Sequence, residues 1–255
     1  MKQIQPMTSK QPMKAILLLT LATSVTASAA VSWSVDQFGT VSTTSGVVPA
    51  ANWNNTAPSG GNPYVGKTVT DLIDDTGATT TLDIAYGSWG AWRIQASHPG
   101  ADADGSNNKE LLNGYLNAGP AGWNPSVTAS SIAISQIPYA SYNIIVYFSA
   151  DVAGREGQVV NGANTFYFST LGAASIAGSN ATLTQTTSTS TSDYAGANYA
   201  VFSGLSGDTQ SITVQMRDND EWGGIAGFQV IAVPEPSAAL LGGLGLIGLL
   251  RRRRA

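Results

Sequence analysis

Apolar positions in the middle of the chain fall into short runs of two kinds. Residues 142–148 (Tyr-Asn-Ile-Ile-Val-Tyr-Phe) are β-branched and aromatic on both faces, the pattern of a strand covered on both sides. Residues 210–216 alternate, with Ile212, Val214 and Met216 on one face and Ser211, Thr213 and Gln215 on the other. Segments 80–86 and 127–135 alternate less regularly, and 31–38, 68–73, 165–170, 181–185, 198–203 and 227–232 complete the predicted strands. Glycine and Asn/Asp clusters separate them, as turns require. Many short strands without a long helix predict an all-β chain folded as a single jelly-roll-like β-sandwich.

One segment breaks the strand pattern. Residues 107–117 place Leu111, Leu112, Tyr115 and Leu116 on one helical face, and Asn107 with Glu110 three positions later fits a capping box. This predicts one short helix across an edge or the bottom of the sandwich. Residues 186–192 are a Thr/Ser run, readable as a mobile loop or as a polar edge strand.

Two apolar runs flank this region. At the N-terminus, Lys10 and Lys14 precede the run 15–22, and Ala27-Ser28-Ala29 follows. A basic start, a short apolar stretch and an A-x-A site read as a secretory signal peptide over residues 1–29. At the C-terminus, Pro234-Glu235-Pro236 precedes an uncharged run over 237–250, followed by Arg251, Arg252, Arg253 and Arg254. Fourteen helical residues span roughly 21 Å, short of a hydrocarbon core about 30 Å thick. Arginine side chains reaching to the interface make up part of the deficit, and their charge holds that end on the cytoplasmic side. The domains are therefore 1–29, a β-sandwich over 30–232, and a C-terminal signal over 233–255 that includes a transmembrane helix at 237–250.

Pro-Glu-Pro, an apolar helix and an arginine cluster, in that order, resemble the PEP-CTERM sorting signal of Gram-negative bacteria. The resemblance implies recognition by exosortase, a membrane-embedded cysteine protease-transpeptidase, and cleavage near Pro234-Glu235-Pro236. It also implies a cell that makes extracellular polysaccharide or biofilm, transient residence in the inner membrane, and a final place at the cell surface or outside the cell. The body resembles that of PEP-CTERM proteins as well. The likeness rests on Gly46-Val47-Val48, Asn52-Trp53-Asn54-Asn55, the 111–115 segment, the 142–148 strand and the stretch 223–231. It looks like a galactose-binding-like β-sandwich and carries no established activity.

Removing both ends changes the charge. Of the 12 basic residues, residues 30–232 keep Lys67, Arg93, Lys109, Arg155 and Arg217, against 15 of the 16 acidic residues (Glu235 lies in the tail), a balance of −10. Phosphate neutralisation by Lys and Arg is therefore not available, which argues against nucleic acid as a partner. With no cysteine, disulfides, thiolate nucleophiles and Cys-ligated zinc are excluded.

The candidate chemistry is sparse. His98 is the one histidine, so an imidazole-rich transition-metal site is excluded, and His98-Pro99-Gly100 reads as a solvated loop. Asp102, Asp104 and Asn107 offer hard oxygens in a register calcium favours, although the loop misses the EF-hand pattern and Asp/Asn also serve turns for backbone reasons. Six tryptophans are present. Exposed indoles stack on sugar rings; buried ones plug the ends of a sandwich. Trp89 and Trp92, three apart, would face opposite sides of a continuous strand. Trp222, near Arg217 and Asp218, is the preferred ligand-binding candidate. The composition fits a non-catalytic surface or matrix protein whose sandwich binds polysaccharide or simply forms part of the extracellular layer. The alternative is a secreted carbohydrate-active hydrolase using an Asp/Glu pair.

Overall fold

The computed structural model describes residues 29–36, 39–58, 63–119, 127–217 and 221–234. The predicted signal peptide up to residue 28, and the apolar run and arginine cluster of the tail, lie outside the described residues. Among those described, no helix is long and apolar enough to cross a membrane. The strands are β1 (Ala30–Val35), β2 (Asn54–Thr56), β3 (Tyr64–Val69), β4 (Asp83–Ser88), β5 (Gly90–Arg93), β6 (Gly114–Ala118), β7 (Ala129–Ser135), β8 (Tyr142–Ser149), β9 (Ala153–Asn161), β10 (Asn164–Leu171), β11 (Tyr199–Leu205), β12 (Gln210–Met216) and β13 (Gly223–Ala232). Helix α1 (Asn108–Asn113) precedes β6.

Two sheets form an all-β sandwich. One is ordered β11-β8-β13-β1-β2, with β6 pairing the start of β13 and β5 pairing β6. The other is ordered β10-β9-β12-β7-β4-β3 and is antiparallel throughout. From β7 onward the chain alternates between the sheets, apart from the β9–β10 hairpin. Its two-residue link, Gly162-Ala163, needs the positive φ of 58° that glycine supplies.

The pattern of β8 has a direct cause. Ile144, Val146 and Phe148 enter the core between the sheets, with Trp33, Phe228 and Val214. Ile145 and Tyr147 point the other way, into a second cluster with Trp53, Val41, Leu111 and Tyr115. Residues 39–53 and α1 cover that outer face. A buried polar network holds the cover down. Tyr147 Oη donates to Gln229 Oε1 at 2.6 Å and accepts from the Val47 N–H at 2.7 Å. Gln229 Nε2 donates to the Val48 carbonyl at 2.9 Å. Gly46 sits against this amide with φ 96°, and any β-carbon there would collide with it.

The predicted helix is half as long as expected. Gly114 takes φ −94°, ψ 142°, and the chain continues as β6. Tyr115 and Leu116 therefore face opposite clusters rather than one helical face. The capping box does not form. Asn107 Oδ1 instead accepts from Ser42 N, Thr43 N and the Ser42 hydroxyl. Segment 181–185 is not a strand; Gln185 makes one isolated bridge to Tyr199. The Thr/Ser run lies along β10, where Tyr167 N donates to the Ser188 carbonyl at 2.9 Å.

Candidate functional site

The chain changes sheets at Trp89, since β4 belongs to one sheet and β5 to the other. Ser88 Oγ donates to the Gly90 carbonyl at 2.6 Å, and Trp89 N donates to the Asn117 carbonyl at 3.0 Å, so the corner is fixed. This crossing corrects the strand-based expectation for Trp89 and Trp92. Both indoles line one cleft, and Trp222, immediately before β13, joins them. Asn117 and Asp151 complete its polar lining, around a volume of about 340 Å³. Gly119 lies between two of the rings: a β-carbon there would come within 2.9 Å of Trp222 and of Trp89. Trp92 is 46% exposed, the residue of the three that solvent reaches most freely.

The electrostatics beneath the cleft are set by Arg155. Its guanidinium donates to Asp151 Oδ1 at 2.7 Å and to the Trp222 carbonyl at 2.5 Å, tying the carboxylate to the tryptophan backbone. Tyr115 Oη accepts from the Asp151 N–H at 3.1 Å. Burial, then the nearby Asp151 charge, pushes the Tyr115 phenol far above the usual tyrosine range. Asn117 is buried, and its Oδ1 has no hydrogen-bond partner among the described residues. Arg93 stacks over the Trp92 ring, 5.0 Å from its centroid.

Arg217 does not join this cleft. It pairs with Glu156 and lies 4.9 Å above the Tyr194 ring, in a separate groove of about 210 Å³ with Tyr167, Gln158 and Gln215. Asp218 and Trp123 fall outside the described residues. Asp151, Arg155 and Asn117 are site residues that the sequence pattern does not mark. A lone Asp in a loop and an Asn on a strand carry no signal until the fold brings them beside the indoles.

The acidic loop is held by its own backbone. Asp102 accepts the Lys109 N–H at 3.0 Å, supplying the cap that Asn107 does not, and its other oxygen accepts the Ala181 N–H. Asp104 accepts the Ser106 N–H at 2.9 Å, and that bond holds its carboxyl below the usual aspartate range. Among the described residues no group of three His, Asp or Glu side chains is placed to hold a metal ion. His98 is not simply solvated: its Nδ1 lies 3.1 Å from Oε2 of the buried Glu110, which also accepts the Gly100 N–H at 2.8 Å.

The start of β1 and the finish of β13 lie side by side at the other end of the sandwich. Ala30 is paired with Ile231, and Ala232 N donates to the Ala29 carbonyl at 2.9 Å. The cleft sits at the start of β13 and the exit to the tail at its finish. Ten residues of strand put roughly 30 Å between them. Pro234 leaves β13 at the surface. Residues 232–254 match the PEP-CTERM protein-sorting motif. That motif is the recognition signal of exosortase, so exosortase is the processing partner it supports. It also implies export and processing at the membrane, with placement at the surface or outside the cell. Comparison with curated proteins and with solved structures finds no match.

Proposed function

We propose that the exported β-sandwich is a non-catalytic glycan-binding domain of the cell surface or extracellular matrix, and that the tryptophan cleft is its binding site. The observation that carries this reading is the convergence of Trp89, Trp92 and Trp222 on one open cleft with Asp151 and Asn117 at its wall. Indole faces stack on the apolar faces of pyranose rings, and carboxylate and amide groups bond the hydroxyls. The strand orders β1-β13-β8-β11 and β7-β12-β9-β10 support a jelly-roll wrapping, and the galactose-binding-like reading rests on this two-sheet body. Signal-peptide removal at residue 29 and exosortase cleavage near Pro234 free both ends on the same side. The cleft then faces away from the membrane during processing.

Glycoside hydrolysis uses two carboxyl groups about 5–9.5 Å apart across the scissile bond. Among the described residues lining the cleft, Asp151 is the one acid, and Arg155 binds it. This favours binding over hydrolysis. A glycan array probed with the exported form tests the reading, alongside an assay for released reducing sugar. Binding without sugar release is expected. Turnover lost on substituting one Asp or Glu would establish the hydrolase instead.

A further inference from the structure

We infer that the cleft selects a glycan bearing free, protonated amino groups over neutral or acidic glycans; this rests on the glycan-binding reading above. The groups that meet a ligand there are acceptors and electron-rich faces. Asn117 is 7% exposed and its buried Oδ1 lacks a partner among the described residues. Asp151 presents a carboxylate that is 34% exposed. Trp89, Trp92 and Trp222 line the cleft, and the negative quadrupole of an indole attracts cations to its face.

The positive charges nearby are already engaged. Arg155 is 16% exposed, does not line the cleft, and is bound to Asp151 Oδ1 and the Trp222 carbonyl. It bonds one of the two carboxylate oxygens from below. Arg93 lies over Trp92, which shows that this ring accepts a cation on its face. An acidic sugar would bring its carboxylate against Asp151 and the unpartnered Asn117 oxygen, while the two nearest cations, Arg155 and Arg93, are engaged with Asp151 and with the Trp92 ring. A protonated amine supplies the donor the Asn117 oxygen lacks, faces the Asp151 carboxylate and sits against the indoles. The balance of −10 over residues 30–232 adds a long-range attraction for a polycationic glycan.

The test is tryptophan fluorescence and calorimetry on the purified protein with three oligosaccharides of equal length. These are β-1,4-linked glucosamine, its fully N-acetylated counterpart, and an oligogalacturonate. At acidic pH, where the amine is charged, the glucosamine chain is expected to bind about tenfold tighter than the N-acetylated one. The advantage should vanish at alkaline pH. Asp151→Asn should shrink it, whereas Asp208→Asn, which changes the net charge equally on a remote exposed loop, should not. Equal or tighter binding of the N-acetylated or uronate chain overturns the amine selectivity and leaves glycan binding standing. Binding by none of the three, nor by any other polysaccharide, overturns the glycan reading itself.

Discussion

The Ala30 N–H donates to the Asp75 carboxylate at 3.0 Å, and the Asp75 N–H returns a bond to the Ala30 carbonyl at 2.8 Å. In the proposed exported form, cleavage after Ala29 turns that N–H into an α-ammonium already facing a carboxylate. Mass spectrometry should find Ala30 as the first residue. Asp75→Asn should then cost about 1.5–3 kcal/mol, as for hydrogen bonds to charged groups. The same change in the uncleaved chain should cost less. Equal melting shifts in both forms would contradict the pairing.

Tyr147 and Gln229 fix the cover over the outer face of the first sheet. Tyr147→Phe removes the donor to the buried Gln229 and the acceptor for the half-buried Val47 N–H. The expected loss is about 1–3 kcal/mol, read as a lower midpoint in denaturant. A midpoint within error of wild type would show that residues 39–53 are held by apolar packing alone.

Alkaline pH should unfold the sandwich. Burial raises the phenols of Tyr115 and Tyr147 above their ordinary 10.0, and pushes Tyr139 up to about 12. For these groups the folded state favours the neutral form. Their contribution is fully present below pH 10 and is lost as pH rises through the folded values. Tyrosinate absorbance and loss of β circular dichroism should therefore rise together above that pH. Ionisation of all the tyrosines with the sheet signal intact would contradict this.

Asp102 clasps α1 to residue 181 rather than facing an open ligand sphere. Asp102→Ala should lower stability by about 1–3 kcal/mol because two backbone donors lose their acceptor. Millimolar calcium should leave the melting temperature of the wild-type protein unchanged, and so should a chelator. A calcium-dependent rise abolished by Asp102→Ala would establish the metal-loop reading.

The sorting motif makes a cellular prediction. Pro234→Ala combined with Glu235→Ala should leave the protein in the inner membrane fraction, while the wild type is released. Release of the double variant would contradict recognition of the motif matched at residues 232–254.

Some of the fold was legible because local pattern and burial agree. β12 alternates as its one-sided burial demands, and β8 is apolar on both faces because a second cluster covers it. β9 was missed because Arg155, Glu156 and Gly157 interrupt the alternation before Val159 resumes it. The helical pattern runs past the helix because Leu111, Leu112, Tyr115 and Leu116 suit a helical face, and Gly114 turns the chain extended within it. The site was legible only as residue types. Trp89, Trp92 and Trp222 could be named, but their convergence depends on a crossing between sheets. Arg217 was grouped with Trp222 by sequence proximity, and the fold separates them into two grooves.

Calorimetric titration of the exported form with the polysaccharide of the producing cell tests the central claim most directly. Wild type should bind, and Trp222→Ala should weaken binding by at least about tenfold while its melting curve stays cooperative. Unchanged affinity in a folded Trp222→Ala variant would contradict the cleft as the binding site.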